Sequence, residues 1–503
     1  MRYLGALSVG EIRKQGIFNT VISYSGIGIG FVYTLVLLPK FLSPDEVGLT
    51  RVLFSLSTIF GTLFPFGLGS FTIKYFPRFR NHSNGHHGYL RLLLLLTLLS
   101  YLLFAVLMFL FKDKVLVRYD NSPLLVQYFT FVFPISLAIG FISMLNVYCI
   151  SLFHSSVPSF LNEVYFRVAN ILVITLYYFK VISFDVFVIC YSICFLSQLL
   201  FLFVYVFRID RGIRHSIDWN FVRSQDLREM SRYILLIAPA SIASMALRQI
   251  DVTMLGSDLN GNAPLADVAV YTIGFTIGSI IEAPFNALAR ITDSKVSDAF
   301  HRNDMRLVDE VYNRSTRILM IIGGLLFVGV VADIHTMLRF LPHKYLQSEY
   351  VVIIVGASCF FNMATGINSS IIFYSDKYRQ GSFLLFALII TSVILNYILI
   401  PLYGIEGAAI ATGSALFFFN LAKWLLIKKY FGLQPYGKYV FVVALLMAAS
   451  LVVNHFLPYI GNKYFDLAYR SAIMTIIYGG GILVTGIFPE ANGFIKKHAG
   501  INL

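Results

Sequence analysis

Charge is what this sequence has least of. Of 503 residues only 13% are Asp, Glu, Lys or Arg, against about 25% in an ordinary soluble domain. That shortage excludes a water-soluble globular protein. Cysteine is scarce too: Cys149, Cys190, Cys194 and Cys359 all fall in apolar runs. There a thiol acts as a small core residue, not as part of a disulfide or metal framework. His82, His86 and His87 offer no metal site, because Asn84-Gly85 interrupts the helix that would align two of them. A Gly-x-x-x-x-Gly-Lys-Ser/Thr loop is missing, so the chain does not hydrolyse ATP by that device. No Asp-x-Asp pair occurs, which removes one common metal–sugar-nucleotide site. Nothing combines a nucleophile, a base and an orienting group; no enzyme and no cofactor are expected. The N-terminus, with Glu11-Ile-Arg-Lys14 ahead of the first apolar run, lacks a signal-peptide pattern.

What the chain does have is apolar length. It is 57% hydrophobic, with a mean hydropathy of +0.75. A membrane span needs about 20 apolar residues, and the sequence divides into such runs with short loops between them. The first six are Ile17–Leu38, Val47–Phe71, Leu90–Phe111, Leu124–Ser151, Phe160–Phe179 and Phe184–Phe207. The next six are Tyr233–Gly256, Val268–Arg290, Ile318–Asp333, Val351–Phe373, Phe383–Ile400 and Ile405–Ile427. Tyr439–Asn454 and Leu467–Phe488 make about fourteen transmembrane helices in an all-α integral membrane protein.

With even-numbered spans ending in the cytoplasm, that side and both termini take 28 of the 39 Lys and Arg. Nine fall on the other side, and Arg51 and Arg248 remain in spans. This is the positive-inside bias, so both termini are expected in the cytoplasm. The net charge of +13 thus reports topology rather than nucleic-acid binding. The expected division is a six-helix bundle over 1–210, a cytoplasmic linker at 211–232, and a second six-helix bundle over 233–430. Residues 431–503 add two helices and a cytoplasmic tail. Val296, Phe300, Val308, Val311 and Tyr312 are spaced as an amphipathic cytoplasmic helix within 290–317.

Polar groups inside the spans are the candidate site. Span seven carries Arg248 and Asp251, each costing about 2.5–3.5 kcal/mol near the middle of an inserted helix. At i,i+3 they share a face, which Ser244 and Ser241 continue. A shift of 221 residues lays span two on span eight without a gap, with Val47 on Val268, Phe54 on Phe275 and Lys74 on Lys295. Arg51 opens a one-faced polar stripe in span two. Span eight answers with Thr272, Thr276, Ser279 and Arg290, broadened by Glu282 and Asn286. Gly274-x-x-x-Gly278 and Pro284 predict a closely packed, kinked span eight. Asn19, Ser23, Gly26, Gly30 and Tyr33 line span one similarly. Such stripes suit helix packing as well as a wet cavity; the charges favour a cavity wall. The substrate-contacting set is therefore Arg51, Ser244, Arg248, Asp251, Asn286 and Arg290. Glu282 is the candidate for coupling to an ion.

Three stretches resemble the polysaccharide-exporter branch of the multidrug/oligosaccharidyl-lipid/polysaccharide flippase superfamily. They are Leu37-Leu-Pro-Lys-Phe-Leu-Ser-Pro-Asp-Glu-Val-Gly48, the Arg248-Gln-Ile-Asp251-Val-Thr-Met-Leu-Gly256 end of span seven, and Leu395 to Thr412 between spans eleven and twelve. The resemblance implies two six-helix bundles around a central cavity, and alternating access. It also implies movement of an undecaprenyl-diphosphate-linked oligosaccharide, of O-antigen type, from the inner to the outer leaflet of a bacterial cytoplasmic (inner) membrane. Proton or sodium would be the coupling ion, and the substrate and membrane lipids the partners. Span one carries no charged residue here, which departs from the pattern of lipid II flippases. A multidrug exporter using ion antiport is the alternative, and a membrane-embedded glycan polymerase, disfavoured by short outer loops, a third.

Overall fold

The computed structural model describes residues 9–81, 84–210, 215–257, 259 and 264–489; the side chains of 9–17, 236–237, 239–248 and 290–291 lie outside that description. The described residues are helical almost throughout, with no strand. Eleven helices are long and apolar enough to cross a membrane, or twelve with the bent pair Pro44–Leu63 and Leu68–Phe79 taken as one span. One of them, Tyr378–Phe431, holds both expected spans eleven and twelve. It reverses at Gly404, whose φ of 55° and ψ of −126° suit only a residue without a Cβ. Span seven is the helix Leu227–Leu255.

By packing, the chain divides into two units, Met1–Ala269 and Val270–Leu503. Span seven thus sits in the first unit and the division falls within span eight, Pro264–Ser279. Two of the resemblance motifs lie at ends of spans two and seven, which pack together in the first unit. Ser43 caps span two in a reciprocal box with Glu46, with Pro44 at the first turn, a strong helix start. A Cβ on Gly48 would sit 1.8 Å from the Leu265 carbonyl oxygen, and one on Gly256 would meet Val52 at 2.8 Å. At Gly48 two backbones touch, and at Gly256 the Val52 side chain takes the space a Cβ would need. Ser55 Oγ of span two then donates to the Gln249 carbonyl of span seven at 2.9 Å, and Tyr119 and Ser122 reach the Thr253 and Gly256 carbonyls. Hydroxyl-to-carbonyl bonds are how spans hold each other where lipid offers no partner.

In the second unit, span eight behaves as its sequence predicts. A 3₁₀ turn at Ile280–Glu282 separates Pro264–Ser279 from Ala283–His301, with Pro284 in the first turn beyond the break. Gly274 and Gly278 lie against Ser348, Val351, Val352 and Val355. Span two is also broken, between Leu63 and Leu68; shifted by 221 residues its break falls at 285–288, five to six residues beyond that of span eight. The separate amphipathic helix expected over 290–317 does not form. Span eight continues to His301 and span nine, Met305–Leu338, starts at once after a turn at Asn303 with φ of 56°. Val296, Val308 and Tyr312 are buried against Ile367, Ile371 and Ile427, so the apolar face packs on protein instead of lying on a membrane surface.

The 28-to-nine charge split counts Arg167, Lys423 and Arg470 with loops. All three lie in helices (Phe166–Tyr178, Tyr378–Phe431 and Lys463–Met474). Without them the bias is 26 to eight, unchanged in direction.

Candidate functional site

Span five carries a charge pair that its composition hides. Glu163 lies in a π-helical stretch, Leu161–Tyr165, and Arg167 one turn on. Arg167 Nη2 is 3.0 Å from Glu163 Oε2, with the arginine side chain 28% exposed. Arg167 Nη1 also donates to the Gly26 carbonyl of span one. The guanidinium fits there because span one presents glycine. A Cβ on Gly30 would lie 3.0 Å from Arg167 Cζ, and one on Gly26 2.9 Å from Nη1. One turn along span one, about 6 Å at 1.5 Å per residue, Arg51 Nη2 donates to Thr34 Oγ1 at 3.4 Å. Nearer the other end of span one, Asn19 donates to Ser155 at 2.8 Å. The polar stripe of span one therefore receives two guanidiniums from neighbouring helices. It is a basic track without a charged residue of its own.

The second unit holds a different constellation. Glu282, at the break in span eight, accepts from Asn362 Nδ2 at 2.5 Å and from the Cys359 thiol at 3.9 Å, both on span ten, Glu349–Ala364. Lys423 of span twelve is buried and donates to Ser369 Oγ at 3.0 Å, with its Nζ 4.4 Å over the Phe419 ring. Ser370 donates to Asp293. Span twelve thus brings a cation to Ser369, and span eight a carboxylate, Asp293, to the adjacent Ser370.

Of the residues singled out in the sequence, Arg51 stands on the basic track, Asp251 is buried in the first unit, and Asn286 is exposed. Glu282 is half-buried and engaged by span ten. The side chains of Ser244, Arg248 and Arg290 lie outside the described residues. Arg167, Glu163 and Lys423 were legible but missed. Glu163 and Arg167 sit at i,i+4 in an apolar run, and the rule that picks out Arg248 and Asp251 picks them out as well.

Among the described residues no group of His, Cys, Asp or Glu could hold a metal. Near the ends of spans three and six, His87 Nδ1 is instead 3.0 Å from Asp218, and His86 Nε2 4.0 Å from Asp210. Asp218 also accepts from the Phe221 amide, and these bonds, the amide's first and then that of His87, hold its carboxyl below the ordinary carboxylate range.

The described residues form a many-span helical membrane fold with charged groups inside its spans. Residues 12–292 match the family described as polysaccharide biosynthesis protein, and the chain belongs to that family. No curated protein matches the sequence. Among solved structures, the lipid II flippase MurJ in an inward closed conformation has a TM-score of 0.73 at 13% identity, covering 94% of this chain and 99% of that one. An inward-facing multidrug resistance MATE family transporter of the MOP superfamily has a TM-score of 0.62 at 15% identity, covering 80% and 94%. A MOP superfamily transporter from Pyrococcus furiosus, described as having a binding pocket of reversed polarity, scores 0.53 at 15% identity, covering 83% and 96%. The fold is the MOP flippase fold.

Proposed function

We propose that the protein flips an undecaprenyl-diphosphate-linked oligosaccharide from the cytoplasmic to the outer leaflet by alternating access, for surface polysaccharide synthesis. The observation that carries this reading is the basic track on span one, where Arg167 is seated on Gly26 and Gly30 and Arg51 reaches Thr34. A diphosphate crossing hydrocarbon unaided would leave its charges unsatisfied. Guanidiniums offer it planar, charge-assisted donors. Arg248, Asp251, Ser244, Asn286 and Arg290 complete the proposed substrate-contacting set, with hydroxyls and amides for sugar. The repeat halves 1–210 and 233–430 are the proposed moving bodies, in a bacterial inner membrane with both termini cytoplasmic. Family membership supports a role in polysaccharide synthesis, and the fold supports transport rather than catalysis.

A deletion strain tests the reading, with lipid-linked glycan assayed by leaflet. The intermediate should accumulate on the cytoplasmic side and surface polysaccharide should be lost. Arg167→Ala, expressed in that strain and reaching the membrane, should reproduce the block. Normal surface glycan paired with new sensitivity to cationic drugs would establish multidrug export instead.

A further inference from the structure

A carboxylate sits on the track that the flipping reading offers to a diphosphate. Among the described residues Glu163 has one polar partner, Arg167 Nη2 at 3.0 Å, and its side chain is 38% exposed. Arg167 does not depend on it. The guanidinium also donates to the Gly26 carbonyl and lies against Gly26 and Gly30, a seat on span one that remains when the carboxylate leaves. Arg51 has no carboxylate beside it among the described residues; it donates to Thr34 at 3.4 Å, and its Nε is buried without a partner. A buried donor of this kind marks a place that water or a ligand completes. Glu163 and Thr34 both lie in π-helical stretches, Leu161–Tyr165 and Val32–Leu37, rare turns that gather at functional sites.

We propose that Glu163 is a tethered competitor for the substrate at Arg167. It holds the guanidinium in the empty carrier, yields it to an entering diphosphate, and takes it back as the substrate leaves. This role rests on the flippase reading of the track. A carboxylate and a phosphate offer a guanidinium the same kind of charged oxygen pair, so one ionic hydrogen bond replaces another, with no covalent step and no proton moved. Displacing Glu163 costs affinity, because a carboxylate one helical turn away competes at a high effective concentration. That cost serves a carrier. Two free guanidiniums would hold a diphosphate tightly on both sides of the membrane, and a ligand held equally in two states drives no change between them. An internal anion that returns to Arg167 neutralises the empty carrier at this point and speeds release.

Binding of an undecaprenyl-diphosphate-linked monosaccharide to the purified full chain in neutral detergent tests the exchange. Glu163→Gln should bind it about tenfold or more tighter, the size of a charged hydrogen bond no longer opposed, and the gain should appear as slower release. In the deletion strain the same variant should restore less surface glycan than the wild type, although it binds better. If Glu163 only positions Arg167, the sign reverses and Glu163→Gln weakens binding. That result would overturn the proposal, and so would a gain of no more than about threefold, the effect of one solvent-screened charge. Should Glu163→Gln fail to fold, Glu163→Asp, its carboxylate drawn back by one methylene, should tighten binding to a smaller extent; weaker binding there would overturn the proposal. With the flippase reading intact and this proposal wrong, Arg167→Ala loses binding while Glu163→Gln gains none. A deletion strain with normal surface glycan overturns the flippase reading itself and leaves the binding comparison untouched.

Discussion

The guanidinium of Arg167 holds two acceptors at once, the Gly26 carbonyl and the Glu163 carboxylate. A lysine at this position has one point-like ammonium on a flexible stem and cannot reproduce a planar fork. Arg167→Lys is therefore expected to lose nearly as much transport as Arg167→Ala. A charged hydrogen bond contributes roughly 1.5–3 kcal/mol, so a loss of about tenfold or more in substrate affinity is expected, measured with a diphosphate lipid on the purified protein. Gly30→Leu should produce the same defect while every charge remains, because its side chain would occupy the guanidinium's place. Full affinity in Gly30→Leu would detach Arg167 from the substrate. At Asp218 the folded carboxyl titrates below its ordinary value, so its contribution to stability is present above pH about 4. It is lost as pH falls through the lower folded value. Asp218→Asn keeps a capping side chain and gives up the charge beside His87. The local opening of this corner, followed by hydrogen exchange, should then lose its acid dependence and keep its neutral-pH protection.

Helices in this chain are written in hydropathy, and their ends in Ser, Pro and Gly. Ser43-Pro44-Asp45-Glu46 starts span two three residues before the expected Val47, and the Leu395–Thr412 stretch, expected to turn between spans eleven and twelve, breaks at Gly404. The buried ties between helices were not legible, because they join residues far apart in sequence. Arg470 of span fourteen is 1% exposed and is held by Asp466, by Asn454 Oδ1 at 2.8 Å, and by the Leu457 and Pro458 carbonyls. Asp466 in turn accepts from Thr336 of span nine at 2.5 Å and from the Ile460 amide, and Ser471 donates to Asp333. Together these bonds fasten the last two spans to span nine. Removing one partner of a buried ion pair costs about 3–5 kcal/mol, so Arg470→Met should lower the thermal midpoint in detergent by that equivalent. Asp466→Leu with Arg470→Met removes the stranded charge and should recover part of the loss. Recovery stays incomplete because Thr336 and the Ile460 amide keep no acceptor. An unchanged midpoint in Arg470→Met would mean that packing alone holds span fourteen.

At the scale of the molecule, composition and periodicity sufficed for the class. Each of the fourteen expected spans lies in helical chain, spans two and ten across two helices apiece, and both members of the repeat pair, spans two and eight, are broken, five to six residues apart in the shifted register. The placement of charge inside the membrane was the harder part. Arg167, Lys423 and Arg470 already fall inside the expected spans five, twelve and fourteen, but the charge count assigned them to loops; their partners, on other helices, are what packing adds. Correcting for them leaves the cationic bias on one side, so topology can be tested without reference to substrate. Lys180 precedes span six and Ser224 follows it, and both are exposed. The native cysteines are buried or half-buried, and in a variant lacking all four a single cysteine can be placed at either position. With the amino terminus in the cytoplasm, a membrane-impermeant maleimide added to intact cells should label Lys180→Cys, while Ser224→Cys should label only after the membrane is opened. The reverse pattern would invert the protein in the membrane. A carrier inverted in this way would present its 6–7 linker, rich in arginine, to the outside, against the positive-inside bias. Under the proposed function it would also place the entry for the lipid substrate on the wrong face, so the labelling result tests the proposed direction of flipping.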